Sequence, residues 1–89
     1  MRIATGWSTA RKATMAIRES YGMMRDRLGE DPDFLVLHAT EAYDPVVLLA
    51  ELQRIAPGVP LHGGTSCQGV MTEAGFHGRE GRGVALLGI

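Results

Sequence analysis

Phe34-Leu35-Val36-Leu37-His38-Ala39 is a nearly unbroken apolar run of strand length. It lacks the alternation of a strand that faces water on one side, so it predicts a central strand covered on both faces. Before it, Glu30-Asp31-Pro32-Asp33 reads as a turn. After it, Thr40-Glu41-Ala42-Tyr43 leads into Asp44-Pro45, an N-cap followed by proline at the first helical position. Val46 or Val47, Leu48 or Leu49, Leu52 and Ile55 supply the buried stripe of the helix that follows, and Pro57-Gly58 ends it.

Upstream, Arg2-Ile3-Ala4-Thr5-Gly6 reads as a short first strand, and Ser8 or Thr9 is the expected N-cap of a helix. The apolar positions Ala13, Ile17, Tyr21, Met24 and Leu28 recur at gaps of three and four and form one stripe of that helix. Its other face carries Arg11, Lys12, Arg18, Glu19, Arg25 and Asp26. Gly22 weakens the helix by about 1 kcal/mol relative to alanine, and Gly29 is a natural C′ residue. Met15, Met23 and Met24 read as core or ordinary surface.

Downstream, in Val59-Pro60-Leu61-His62-Gly63-Gly64-Thr65-Ser66-Cys67-Gln68-Gly69-Val70-Met71, a short apolar strand is expected to emerge from the Pro57-Gly58 break and dissolve into a binding loop of glycines and small hydroxyl, thiol and amide side chains. Then Val70-Met71-Thr72, Glu73 to Gly78 and Gly83 to Ile89 read as shorter strands joined by glycine turns, with the bridge from Gly78 to Gly83 a mobile hairpin loop. The order strand, helix, strand, helix, strand implies an α/β fold with a mostly parallel sheet. The hairpin-like C-terminal part makes the sheet mixed, in a single domain of residues 1–89 with two helices. An apolar last strand suggests a sheet that continues in a partner.

Composition narrows the function classes. The 89 residues carry a formal charge of −1 with interspersed signs, so no basic run offers nucleic acid a grip. A chain of this length buries only about two thirds of its unfolded surface, which makes a partner subunit plausible. One cysteine excludes an intrachain disulfide. No apolar run is long enough for a membrane span, and the expected setting is cytoplasmic.

The three parallel strands are expected to end at Thr5 to Ser8, at His38 to Tyr43 and at Gly63 to Gln68. Ligands of open α/β sheets bind beyond the carboxyl ends of strands. Candidate ligand-binding residues are therefore Trp7, Ser8, Thr40, Tyr43, Gly64, Thr65, Ser66, Cys67, Gln68 and Gly69. Each has a plainer reading. Cys67 would be a nucleophile only with His62 or His38 as base, and a lone cysteine among small residues is more often packed. His38, His62, His77 and Cys67 have no tight metal-ligand spacing. The first two read as strand-end groups bonded to backbone, and His77 as exposed. Gly63-Gly64-Thr65-Ser66 lacks the lysine of a phosphate-binding P-loop. Trp7 and Tyr43 stack on a ligand or plug the edge of a core with equal plausibility.

The pattern Leu35-Val36-Leu37 through Tyr43-Asp44-Pro45, a leucine-rich helix, Pro60-Leu61-His62-Gly63-Gly64-Thr65-Ser66, then Gly69, Gly75-Phe76 and Gly83-Val84-Ala85-Leu86-Leu87 resembles the N-terminal half of a FIST N domain. The family's glycine, cysteine, serine or threonine, alanine, glycine, glutamate stretch is matched by Gly64 to Gly69, with the cysteine later, Gln68 before the glycine and Val70 in the place of the acidic residue. The resemblance implies a noncatalytic sensory module of bacterial, archaeal and eukaryotic signalling proteins, binding amino acids or related metabolites without metal or cofactor. The alternatives are a small enzyme working through Cys67, or a self-associating interaction domain. A homodimer would supply the sheet that a complete FIST N plus FIST C pair possesses.

Overall fold

The computed structural model describes residues 2–89. The elements in chain order are β1 (Ala4–Ser8), α1 (Ala13–Leu28), β2 (Leu35–Thr40), α2 (Pro45–Ile55), β3 (Leu61–Ser66), β4 (Val70–Thr72), β5 (Gly75–His77) and β6 (Val84–Gly88). They form a mixed α/β fold with two helices, a four-stranded sheet in the order β1-β6-β2-β3, and a separate β4-β5 hairpin.

Local signals set most helix ends. Asp44 caps α2 by accepting from the Val46 amide at 2.9 Å, with Pro45 next to it. Gly29 closes α1 in the left-handed region at φ 83°, its amide donating to the Arg25 carbonyl at 2.8 Å. The start of α1 departs from expectation, because its cap is Lys12, which makes no side-chain bond. Ser8 is the last residue of β1, and its hydroxyl is already engaged. It accepts from the Ala10 amide at 3.1 Å and donates to the Glu19 carboxylate at 2.6 Å.

One face of α1, made of Ala16, Ile17, Ser20, Met24 and Leu28, is buried against the sheet, with Ala13 and Tyr21 at its margin. Two glycines permit that approach. A Cβ on Gly6 would fall on the Ser20 carbonyl, and one on Gly88 would meet the Met24 thioether. Ser20 returns its hydroxyl to the Ala16 carbonyl at 2.7 Å, so this buried polar group is satisfied.

The two helices are tied by one carboxylate. Glu51 of α2 is only 7% exposed. It accepts from Arg18 of α1 at 2.7 Å and from Arg54 at 2.6 Å. Those guanidinium bonds hold its pKa down to about 2, against the usual 4.5.

The sheet is mixed, as expected, but its first three strands do not form a mostly parallel start. β1, β2 and β3 run the same way, but the last strand inserts between the first two and pairs antiparallel with both. Only β2 and β3 form a parallel ladder. The apolar terminal strand is therefore consumed inside the sheet and forms neither of its edges. Nor is β2 covered on both faces. Leu35, Leu37 and Ala39 enter the core with the helices, whereas Val36 is half-buried and His38 exposed on the other side.

The glycine-rich stretch is also strand rather than loop. Leu61 to Ser66 pair in unbroken register with Leu35 to Thr40. Gly63 lies so close to β2 that a Cβ would fall on the Leu37 carbonyl. The loop proper is only Cys67 to Gly69. The bridge from Gly78 to Gly83 is a hairpin turn, as expected, in which Arg79 and Arg82 exchange amide-to-carbonyl bonds of 2.9 Å. Glu80 and Gly81 take the positive φ values of 54° and 76° that such a two-residue turn requires.

Gly6→Ala should lower the unfolding free energy by about 1–3 kcal/mol through overpacking. Gly22→Ala, where a Cβ meets nothing within 4 Å, should raise it by about 1 kcal/mol. Urea titration measures both, and equal effects at the two positions would contradict the packing.

Acid should weaken the helix pair in a defined interval. Because the Glu51 pKa is depressed on folding, its stabilisation is complete above about 4.5 and is lost as pH falls toward about 2. Glu51→Gln should remove that part of the stability-versus-pH curve while the rest of the acid response remains.

Candidate functional site

The three co-directional strands finish on one border of the sheet. Ser8 and Ala39 both face Val84 across β6, and Thr40 lies beside Ser66. The expected common rim therefore exists. The structure uses its middle to hold itself together.

Thr40 is 1% exposed. Its hydroxyl accepts from the Gly83 amide at 3.2 Å, and its own amide donates to the Gly83 carbonyl at 2.9 Å. Tyr43, also buried, donates its phenol to the Ala10 carbonyl at 2.6 Å, which bridges the end of β2 to the β1-α1 connection. Burial pushes the Tyr43 pKa up, so the phenol keeps the proton this bond needs. Ser8 is buried and committed to Glu19. These three candidates form a floor.

The remaining candidates lie to either side of that floor. Gly64 and Thr65 are exposed on β3, as are Cys67 and Gln68 in the following loop. Ser66 turns its hydroxyl onto the Gly69 carbonyl, closing the loop on itself. A Cβ on Gly81 would lie 3.5 Å from the Gln68 amide oxygen, so the loop abuts the Arg79-Arg82 turn. Cys67 is free and exposed.

Trp7 is half-buried and stacks on His77, ring centroids 3.9 Å apart and planes within 5°. His77, expected to be exposed, is instead buried, its Nε2 2.7 Å from the Thr72 hydroxyl. The pair clasps the β4-β5 hairpin to the sheet face opposite the helices. The two histidines expected to bond backbone at strand ends, His38 and His62, are the exposed ones. Among the described residues no three His, Cys, Asp or Glu side chains gather closely enough to hold a metal ion, and no helix is long and apolar enough to cross a membrane.

Where the floor ends at β1, the rim opens into a polar cleft of about 330 Å³ lined by Thr9, Ala10, Arg11, Glu19, Arg79, Glu80 and Arg82. Arg82 is paired with Glu80 at 2.9 Å, and Arg11 approaches the same carboxylate at 3.9 Å. Arg79 has no ion-pair partner among the described residues. Glu19 is braced by Ser8 from below. Three guanidinium groups and two carboxylates thus surround one small space, with an excess of positive charge. None of the five was a sequence candidate. The available signal was the Arg79-Glu80-Gly81-Arg82 turn itself, whose glycine sets two arginines on one tight loop.

No protein-family model matches this chain, and no curated protein matches it significantly.

The Trp7-His77 clasp should respond to mild acid. Desolvation lowers the His77 pKa below its usual 6.5, although the nearby Glu73 carboxylate opposes the shift. The unfolded chain therefore binds the proton first, and stability declines as pH falls from about 6.5 toward the lower folded value. Trp7 fluorescence and the melting temperature should both change over that interval. His77→Phe, which keeps a ring on the indole, should flatten both responses.

Proposed function

We propose that this chain is a small-ligand-binding sensory module of the FIST N type, acting in cytoplasmic signal transduction without a catalytic step. Its ligand is an amino acid or a related metabolite that carries a carboxylate and an amine. The observation that carries this reading is the mixed-charge cleft at the carboxyl ends of the strands. Arg79 and Arg82 suit a carboxylate, because a guanidinium presents paired donors to its two oxygens. Glu19 and Glu80 suit the ammonium. The Ser8, Thr40 and Tyr43 bonds support the reading indirectly by keeping the floor rigid under the ligand.

Thermal shift measurements with amino acids, hydroxy acids and amines test it directly, since a ligand that binds only the folded chain raises its melting temperature. Arg79→Ala should leave the unliganded melting temperature unchanged and weaken binding about 10- to 100-fold, the worth of a charge-assisted bond. Flat curves across all zwitterions and carboxylates would remove the proposal. An interaction domain is the second reading, favoured by the open edge of β3.

A further inference from the structure

We infer that β3 is a self-association seam, at which a second copy of this chain adds antiparallel across a two-fold axis and extends each four-stranded sheet into the other. This inference does not depend on the ligand reading.

The two edges of the sheet are built differently. At β1, the Arg27 guanidinium reaches over the strand to the Thr5 carbonyl at 3.4 Å, and Thr5 donates its hydroxyl to Glu73 at 2.6 Å. Arg27 and Glu73 are themselves 3.6 Å apart. The Arg27 guanidinium, held near Glu73, obstructs that edge. Natural sheets use such devices to keep stray strands away.

At β3 every one of these devices is missing. The strand runs from Leu61 to Ser66 without proline, and its ladder with β2 has no bulge. His62 through Thr65 are exposed. From Ile55 to Thr72 the sequence contains no Asp, Glu, Lys or Arg. An open apolar cavity of about 240 Å³ adjoins the strand, walled by Leu37, Leu48, Leu49 and Leu61. Leu49, at its mouth, is 40% exposed.

The charge pattern selects a second copy as occupant. A two-fold axis brings a strand against itself, so each charged side chain near the axis would meet its own like charge, an arrangement that is destabilising. A charge-free edge is what such a contact needs. Geometry agrees, because an axis perpendicular to the sheet leaves both helix layers on the same side. Alternate residues of β3 face those helices, so keeping the faces matched requires one residue at the axis to oppose its own counterpart. At the middle of the strand that residue is Gly63 or Gly64, where two backbones approach without side chains between them. The two α2 helices then flank the seam, each offering Leu49 to the apolar cavities beside it.

Sedimentation of the full chain through the micromolar range tests the seam. The unsubstituted chain should form a concentration-dependent dimer. A Cβ on Gly64 meets nothing within 4 Å, so Gly64→Lys should fold, retain its far-ultraviolet circular dichroism and weaken the dimer about 100-fold by placing like charges at the axis. Leu49→Lys, on the exposed face of α2, should weaken it as well and guards against a folding defect peculiar to β3. A monomer throughout the range would overturn the inference. So would a dimer indifferent to both substitutions, or a monomer that captures only unrelated extended peptides at β3.

Discussion

The insertion of β6 between β1 and β2 is the constraint from which the rest follows. β1 and β2 share no ladder, and each is held in place by hydrogen bonds to the same strand. Beyond its end, Ile89 continues the link through backbone bonds with Asp33 and Phe34. At its start, Gly83 bonds Thr40 in both directions. A strand in this position has to be apolar on both faces. Val84 and Leu86 enter the helix-covered core, and Ala85 is buried on the other side. Gly88 gives up a side chain so that Met24 of α1 can reach the sheet.

That insertion also decides what becomes of the rim. With Gly83 lodged between the ends of β1 and β2, the Thr40 and Tyr43 hydroxyls face backbone groups, and the Ser8 hydroxyl lies between the Ala10 amide and the Glu19 carboxylate. Thr40, Tyr43 and Ser8 satisfy buried donors and acceptors, which would otherwise cost about 1–3 kcal/mol each. The space left for a ligand moves to the flank, where the turn after β5 brings two arginines over the first residues of the β1-α1 connection. Rigidity beneath and charge above are thus supplied by different residues.

The same architecture gives the sheet unequal edges. At β1 the Arg27 guanidinium caps the Thr5 carbonyl and lies near Glu73 of the β4-β5 connection. β3 has no element beyond it, and Glu51 ties α2 to Arg18 of α1. An apolar cavity is left beside an unguarded strand, so unpaired backbone and the partly exposed Leu49 adjoin one another at this edge.

Residue order alone determined the features that depend on neighbours a few positions apart. Asp44-Pro45 had to open a helix and Gly29 had to close one, because capping bonds span less than a turn. The stripe through Ile17, Met24 and Leu28 had to be buried, because helical periodicity puts it on one face. The alternation of strands and helices fixed the class. Tertiary pairing decided the remainder: that the last strand lies inside, that Gly63 to Ser66 are strand rather than loop, that His77 is buried while His38 and His62 are not, and that the arginines of the turn line one cleft with Glu19. Those outcomes turn on register and on close approach between residues tens of positions apart. The side chains involved are small or polar enough to suit several surroundings, so only the folded backbone selects among them.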